Sequence, residues 1–343
     1  MALKGRYYQR MKVGYLFNMK VLITGSLGLT GAECMDFFTA KGWEVVGIDS
    51  NMRSYFFGTP KKYDSKSLEL DIRDRVMLED LFERHKFDAI IHAAAQPSHD
   101  WAKKDPLMDF HTNATGTLNL LEATRKYCPE AVFVHVSTDK VYGENMIREL
   151  SEAPTRWTNY LPFDEKLGLD FAGQRSLFGC SKTAADIYVQ EYGNYFGMKT
   201  ACFRCGCITG KKHEGAEMHG FLAYLVKAIK EGIPYKIFGY KGKQVRDQIH
   251  AYDLANAFYH FIQSPKSGAV YNMGGGPERS VSILEAISLI EEKTGKKGSY
   301  VLAPEPRQGD RQWDVHDVSK FRADYPEWNY KYSLDDIISD LCG

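Results

Sequence analysis

Six short, almost wholly apolar runs, separated by segments of helical periodicity, constrain this chain more than any other feature. "KVLITG" (20–25), "EVVGIDS" (44–50), "SLELDI" (67–72), "AIIHAAA" (89–95), "VFVHVST" (132–138) and "KTACFRC" (199–205) read as strands. Helices are expected over 29–41, 75–85, 107–127 and 178–197. A strand with one wet face alternates polar and apolar residues; these runs largely do not, which predicts strands covered on both faces of a parallel sheet. Strand–helix alternation with right-handed crossovers gives an α/β fold, a doubly wound Rossmann sheet. From about residue 208 the pattern loosens, with helices near 218–231, 251–263 and 281–294 between short strands. The expected organisation is an N-terminal extension over 1–18, a mainly dinucleotide-binding domain over 19–207, and a mainly substrate-binding α/β lobe over 208–343 with some strands crossing back.

Charge and cysteine usage narrow the class of partner. Lys plus Arg equals Asp plus Glu at 44 each, so no net field points to nucleic acid or an anionic membrane, and neither is expected. No apolar run reaches the ~18 residues of a spanning helix. Residues 1–18 make a poor signal peptide, and Met19 could itself be a start. Seven cysteines form no framework spacing, which suggests a reducing, cytoplasmic setting. Cys202, Cys205 and Cys207 look metal-like, but strand alternation sends Cys202 and Cys205 to opposite faces and no fourth ligand lies near; no metal is expected.

"VLITGSLGLTG" places Gly25, Gly28 and Gly31, with Leu29 opening the helix, where the first strand turns into the first helix. Such a turn lets backbone N–H groups and the positive helix end approach a pyrophosphate. Asp49 closes the second strand, where a carboxylate would bind adenosine ribose hydroxyls and repel a 2′-phosphate, favouring NAD over NADP. Arg53 could stack on adenine or reach a phosphate. Asp71 and Ile72 suit an adenine edge, and the small Ala93, Ala94 and Ala95, followed by Gln96, leave room for a cofactor. Asn113 on the next helix is read as a bridge near the central strands.

The spacing of these motifs, with "HAAAQ", "NATGTLNLLEA", "STDKVYG", "LDFAGQRSLFGCSKTAAD" and "GYKGKQVRDQIHAYD", resembles the extended short-chain dehydrogenase/reductase superfamily. Within it the likeness is to the CDP-tyvelose (CDP-paratose) 2-epimerases. The resemblance implies an NAD-dependent enzyme that oxidises a nucleotide-diphosphate sugar transiently and returns the hydride to the opposite face of the keto intermediate. It implies that Thr138 hydrogen-bonds the reacting sugar oxygen, and that Lys182 holds the nicotinamide ribose and lowers the pKa of a nearby base. It also implies that Arg246 grips the diphosphate, with Arg307 as a second contact and Phe238 able to stack on the base. Helices 107–127 and 178–197 resemble the pair that builds a four-helix homodimer interface in this superfamily.

The chain departs from the pattern at the residue that usually moves the proton. Phe178 stands where the superfamily has a tyrosine, and a phenyl ring has no proton to give. Another natural acid/base, an engineered trap and a non-catalytic binder of NAD or nucleotide sugar are the three explanations. Cys207 replaces an asparagine frequent in relatives, and Arg311 followed by Gln312 displaces an expected arginine by one position. If the base was replaced, "AAQPSHDW" is the place to look: His99 and Asp100 should face the sugar, Asp100 could orient the imidazole, and Ser98 is a candidate substrate contact. Asp139 and Tyr142 are further candidates. A 4-epimerase or 4,6-dehydratase is the alternative activity. A dehydratase would show an acid pair after the "STDK" threonine, and only Asp139 is present.

Overall fold

The computed structural model describes residues 19–57, 61–144, 149–159, 162–170, 172–213, 220–307 and 309–343. The expected extension over 1–18 lies outside them, as does His219, which the sequence places near a helix start.

In chain order the first layer runs β1 (Lys20–Thr24), α1 (Leu29–Ala40), β2 (Glu44–Asp49), β3 (Ser67–Glu69), α2 (Arg75–Arg84), β4 (Ala89–His92), α3 (Gly116–Tyr127), β5 (Val132–Thr138), α4 (Leu177–Phe196) and β6 (Lys199–Cys205). The second half adds β7 (Cys207–Thr209), α5 (Phe221–Glu231), β8 (Tyr235–Phe238), β9 (Val245–His250), α6 (Ala251–Gln263), β10 (Ala269–Met273), β11 (Ser280–Ser282), α7 (Ile283–Thr294), β12 (Tyr300–Ala303) and β13 (Trp313–Asp314). The main sheet is seven-stranded and parallel in the order β10-β6-β5-β4-β1-β2-β3. The strand order therefore reverses beside β1, and ligands of open α/β sheets bind outside the carboxyl ends of the strands at that point.

Apolar runs make these strands because both faces are covered. Val21 and Ile23 enter one core cluster and Leu22 the other, all fully buried. Cys205 and Cys202 likewise fall in different clusters on opposite faces of β6. Each such aliphatic side chain removed from water contributes roughly 1.5–3 kcal/mol. β3 and β4 stop short of the expected 72 and 95, and the chain beyond them carries Asp71 and Ala93–Ala95 over the sheet edge.

The helix expected over 107–127 is interrupted. Asp105 caps a short helix Pro106–Phe110, accepting the Met108 N–H at 3.0 Å. A π-type turn over His111–Thr115 then precedes α3. The extra residue in such a turn re-aims side chains, and Asn113 here reaches Gln96 as well as Asp109 one turn back.

The second half does not stay apart from the first. β10 adds the seventh strand, and α6 packs on α1 through Phe37 and Tyr252, whose rings lie 5.3 Å apart. The lobe's own core gathers α5, β8, α7 and the C-terminal helix Leu334–Cys342. A mixed sheet joins the lobe to the strand ends: β9 pairs with β7, β11 and β13, and Arg246 stands opposite Asp314. Among the described residues no helix is long and apolar enough to cross a membrane.

Candidate functional site

A cavity of about 940 Å³ runs along the carboxyl ends of β1, β2, β4, β5 and β6 and on beneath the lobe. At one end β1 turns into α1. Gly25 has φ +69°, and a Cβ there would sit 2.8 Å from the Ala94 backbone, so only glycine fits the turn. Gly28, Leu29 and Gly31 line the wall beside it, and among the described residues no side chain caps α1. Its first N–H groups are thus available to an anion. Asp49 accepts the Leu27 N–H at 3.0 Å and the Asn51 N–H at 2.7 Å, keeping lone pairs for a diol. Burial raises its pKa, and those two N–H groups oppose the rise. Arg53, Asp71, Ile72, Ala93, Ala94 and Ala95 line the same end. Asp71 is forked to Arg73 at 2.6 Å. Lys61, not singled out from sequence, lines this end too and bonds the Leu27 carbonyl at 2.9 Å. Small turn residues, open helix N–H groups and a half-buried carboxylate together fit a dinucleotide.

Three expected contact residues stand behind the wall instead. Gln96, Ser98 and Asn113 are 1%, 5% and 1% exposed and do not line the cavity. Asn113 Oδ1 accepts the Gln96 N–H at 2.9 Å, while its Nδ2 donates to the Gln96 carbonyl, to Asp109 and to Ser181. Gln96 in turn accepts the Ser98 N–H at 2.6 Å and donates to the Ser98 carbonyl at 2.9 Å. Buried amides need partners, and here they supply one another.

Lys182 reaches the middle of the cavity from the second turn of α4. It is 3% exposed, with Nζ 2.8 Å from the Val136 carbonyl and 3.3 Å from His135 Nε2. Burial pushes its ammonium down to about 8. His135 is also fully buried, and burial together with the Lys182 charge keeps it neutral, well below the usual histidine range. Thr138 closes β5, half-buried, with Oγ1 donating to Asp139 at 3.2 Å. Phe178 is 8% exposed and turns its ring edge-to-face on His99, centroids 5.1 Å apart. Cys207 lines the cavity, its thiol pushed up to about 12 by burial. Cys180 lies on the exposed side of α4. Tyr142 is buried away from the cavity, donating to Asn272 at 2.7 Å beneath the Arg204 guanidinium.

The far end is strongly polar. Arg246 lines it, but most of its N–H groups are engaged: Nη1 with the Val245 carbonyl, Nη2 with Asp310 and the Arg311 carbonyl, and Nε facing Asp314 at 3.4 Å. Asp314 also takes Arg311 at 2.6 Å and Lys140 at 2.9 Å. Burial works against ionisation of Asp139, yet Lys140 and Arg311 outweigh it and hold that carboxyl below its usual range. Arg311 is thereby tied behind the wall rather than lining the cavity. Arg307 lies over the Phe238 ring, 4.2 Å from its centroid, and both line the cavity. Gln244 bonds the Phe238 carbonyl, while Asp247 bonds His316 and the Gly276 N–H, so these two hold the surrounding turns.

Residues 21–274 match the NAD dependent epimerase/dehydratase family. The chain is similar to CDP-paratose 2-epimerase of Salmonella typhi, 32% identical over 94% of this chain and 98% of that one. Among solved structures, UDP-glucose 4-epimerase of Thermotoga maritima with UDP-glucose superimposes with TM-score 0.80 at 25% identity, over 94% and 97% of the two chains. UDP-glucose 4-epimerase of Thermus thermophilus in complex with NAD gives 0.78 at 26% identity, over 95% and 99%.

Proposed function

Because the chain belongs to the NAD dependent epimerase/dehydratase family, we propose that it binds NAD and epimerises a nucleoside-diphosphate sugar, with a CDP-linked sugar of the paratose kind as its substrate class. The observation that carries this reading is the continuous cavity that joins Asp49 at one end, Lys182 in the middle and Arg246 with Arg307 at the other. It has the chemistry for a dinucleotide and a second diphosphate laid end to end.

On this reading Gly25, Gly28, Leu29 and Gly31 cradle the pyrophosphate, and Asp49 holds the adenosine ribose, with Arg53, Asp71, Ile72 and Ala93–Ala95 around the adenosine half. Cys207 borders the nicotinamide end. The bound NAD supplies a reversible two-electron acceptor. Lys182 anchors its ribose and lends positive charge, and Thr138 steadies the reacting oxygen by turning its hydroxyl from Asp139. Arg246 and Arg307 hold the sugar diphosphate, with Phe238 beside the base. Residues 19–207 then serve mainly the cofactor and 208–343 mainly the sugar nucleotide. All seven cysteines are free, which supports a cytoplasmic setting. Exposed Tyr188, Tyr195 and Phe196 on α4 support a homodimer through helices 107–127 and 178–197.

Asp139 argues against dehydration, since a carboxyl clamped by Lys140 and Arg311 is a poor proton donor. Phe178 alone favours a silent binder. Mass spectrometry of nucleotides released from the purified protein, followed by incubation with CDP-paratose and UDP-glucose, separates the readings. Released NAD together with inversion of one sugar carbon is expected; bound nucleotide with no inversion of either sugar overturns the epimerase. A companion result concerns the cofactor: Asp49→Ser should weaken NAD at least about tenfold, since bonds to a charged acceptor are lost. The same change should narrow the preference over NADP. Calorimetry with both dinucleotides reads it, and an unchanged NAD affinity would remove Asp49 from the site.

A further inference from the structure

With Phe178 unable to move a proton, the geometry points to a pair, His99 and Ser176, as the acid/base device of this cleft, a conclusion that rests on the epimerase reading. His99 lines the cavity, and its Nδ1 lies 2.6 Å from Ser176 Oγ. Ser176 is 6% exposed and caps α4, where its Oγ also accepts the Gly179 N–H at 3.2 Å. The hydroxyl is therefore fixed in place by the helix that carries Phe178 and Lys182.

Two described neighbours pack closely on the imidazole. The Phe178 ring edge packs on it. Gly309, at φ +79°, comes so close that a Cβ there would lie 3.1 Å from His99 Nδ1 and Cε1. The loop before His99 is pinned by the Gln96–Ser98 bonds, which the Asn113 network anchors. Those three buried residues thus act through His99 rather than on a ligand. Competing groups are otherwise committed: Asp139 to Lys140 and Arg311, and Cys207 to a thiol form that ionises only near about 12.

With Nδ1 on Ser176, Nε2 is the atom that serves the sugar. A neutral His99 whose Nδ1–H donates to Ser176 carries its lone pair on Nε2. Bound NAD would supply the two-electron hydride acceptor; as the ring alcohol is oxidised, Nε2 takes the hydroxyl proton and a carbonyl forms. The imidazolium keeps its Nδ1–H on Ser176. When the hydride returns to the opposite face of that carbon, Nε2 gives the proton back to the oxygen, so electrons and protons both balance over the cycle. Ser176 is a positioning residue that holds Nδ1 and so turns Nε2 toward the sugar.

The test uses full-length, NAD-loaded protein with CDP-paratose as the sugar. His99→Gln should lower kcat by about 10²–10⁴-fold, while NAD and CDP affinities by calorimetry stay within about threefold. Ser176→Ala should lower kcat about tenfold with KM unchanged, and Ser176→Thr, which keeps the hydroxyl and the cap, should restore it. Nitrogen-15 NMR of histidine-labelled protein supplies a readout without turnover: the His99 Nδ1 resonance, assigned from His99→Gln, should move in Ser176→Ala. Activity of His99→Gln within about threefold of the parent, or an Nδ1 resonance indifferent to Ser176→Ala, overturns the pair. The epimerase reading fails separately, when neither CDP-paratose nor UDP-glucose binds the NAD-loaded protein. Turnover that appears only with Phe178→Tyr would mark a silenced site and also overturn the pair.

Discussion

Lys182→Met should give a protein that melts higher than its parent at pH 7 and has lost about a hundred- to a thousandfold of its turnover. The two effects share one cause. A cation held 3% exposed beside a neutral imidazole is short of solvation, and burial accordingly brings it down to about 8. Relative to the ordinary lysine value that depression corresponds to at most ~3 kcal/mol of native-state cost at neutral pH. Asp186, on the same helix, and Asp109, on the short helix before the π turn, already offset part of it. Methionine fills similar space without charge, so a melting gain of about 2 °C or more is expected. The sign with pH follows from linkage. Between about 8 and the unfolded lysine value the unfolded chain binds more protons, so the parent gains stability as pH rises through that window and the variant does not. Melting curves at pH 7 and pH 9.5 check it: the variant's advantage should shrink at the higher pH. A variant less stable at pH 7 would show that Lys182 stabilises the fold. The loss of turnover measures electrostatic support at the developing alkoxide, an effect of order 10²–10³ when one preorganised donor is removed.

The second large effect is structural. Asp314→Ala should destabilise the protein by about 3–5 kcal/mol, the scale for removing one partner of a buried ion pair. Asp314 is 2% exposed and is shared by Arg311 at 2.6 Å, Lys140 at 2.9 Å and Arg246 at 3.4 Å. Its loss leaves three cations to Asp139 and Asp310. Burial opposes its ionisation, but the three cations hold its carboxyl far below the usual range. Its contribution is therefore complete above the ordinary aspartate value near ~3.9 and is lost only as pH falls from there through the folded value. Urea titrations at pH 7 and pH 3 read both the size and the sign. Asp314→Asn, isosteric but uncharged, should lose most of the same stability; if it loses none, shape rather than charge is what the site needs.

The parallel sheet was legible because it depends on local signals: apolar runs, glycine turns and a carboxylate at a strand end all lie within a few residues of one another. Asp49 and Gly25 could be placed for that reason. The network around Asp314 could not, because Lys140 lies 174 residues from it in sequence and neither residue type is rare on a surface. His135 sits in a strand run where a histidine reads as an interruption, and only the fold sets it against Lys182. Ser176 carries the signature of a helix cap, yet its contact with His99 spans 77 positions. Gln96 and Ser98 lie behind the cavity wall, where Asn113 serves as the bridge expected of it; the π turn that swings the asparagine inward leaves no mark in the apolar spacing.

The way the backbone returns repeatedly to the sheet has a consequence for exchange of small molecules. It leaves through β7, comes back as α6 and β10, leaves again through β11, and comes back near Phe321 and Trp328. A body tied on by so many straps favours slight sliding of packed layers over a swing about one hinge. Such stitching would suit a coenzyme that stays resident through successive rounds, as an isomerisation with no net oxidation demands.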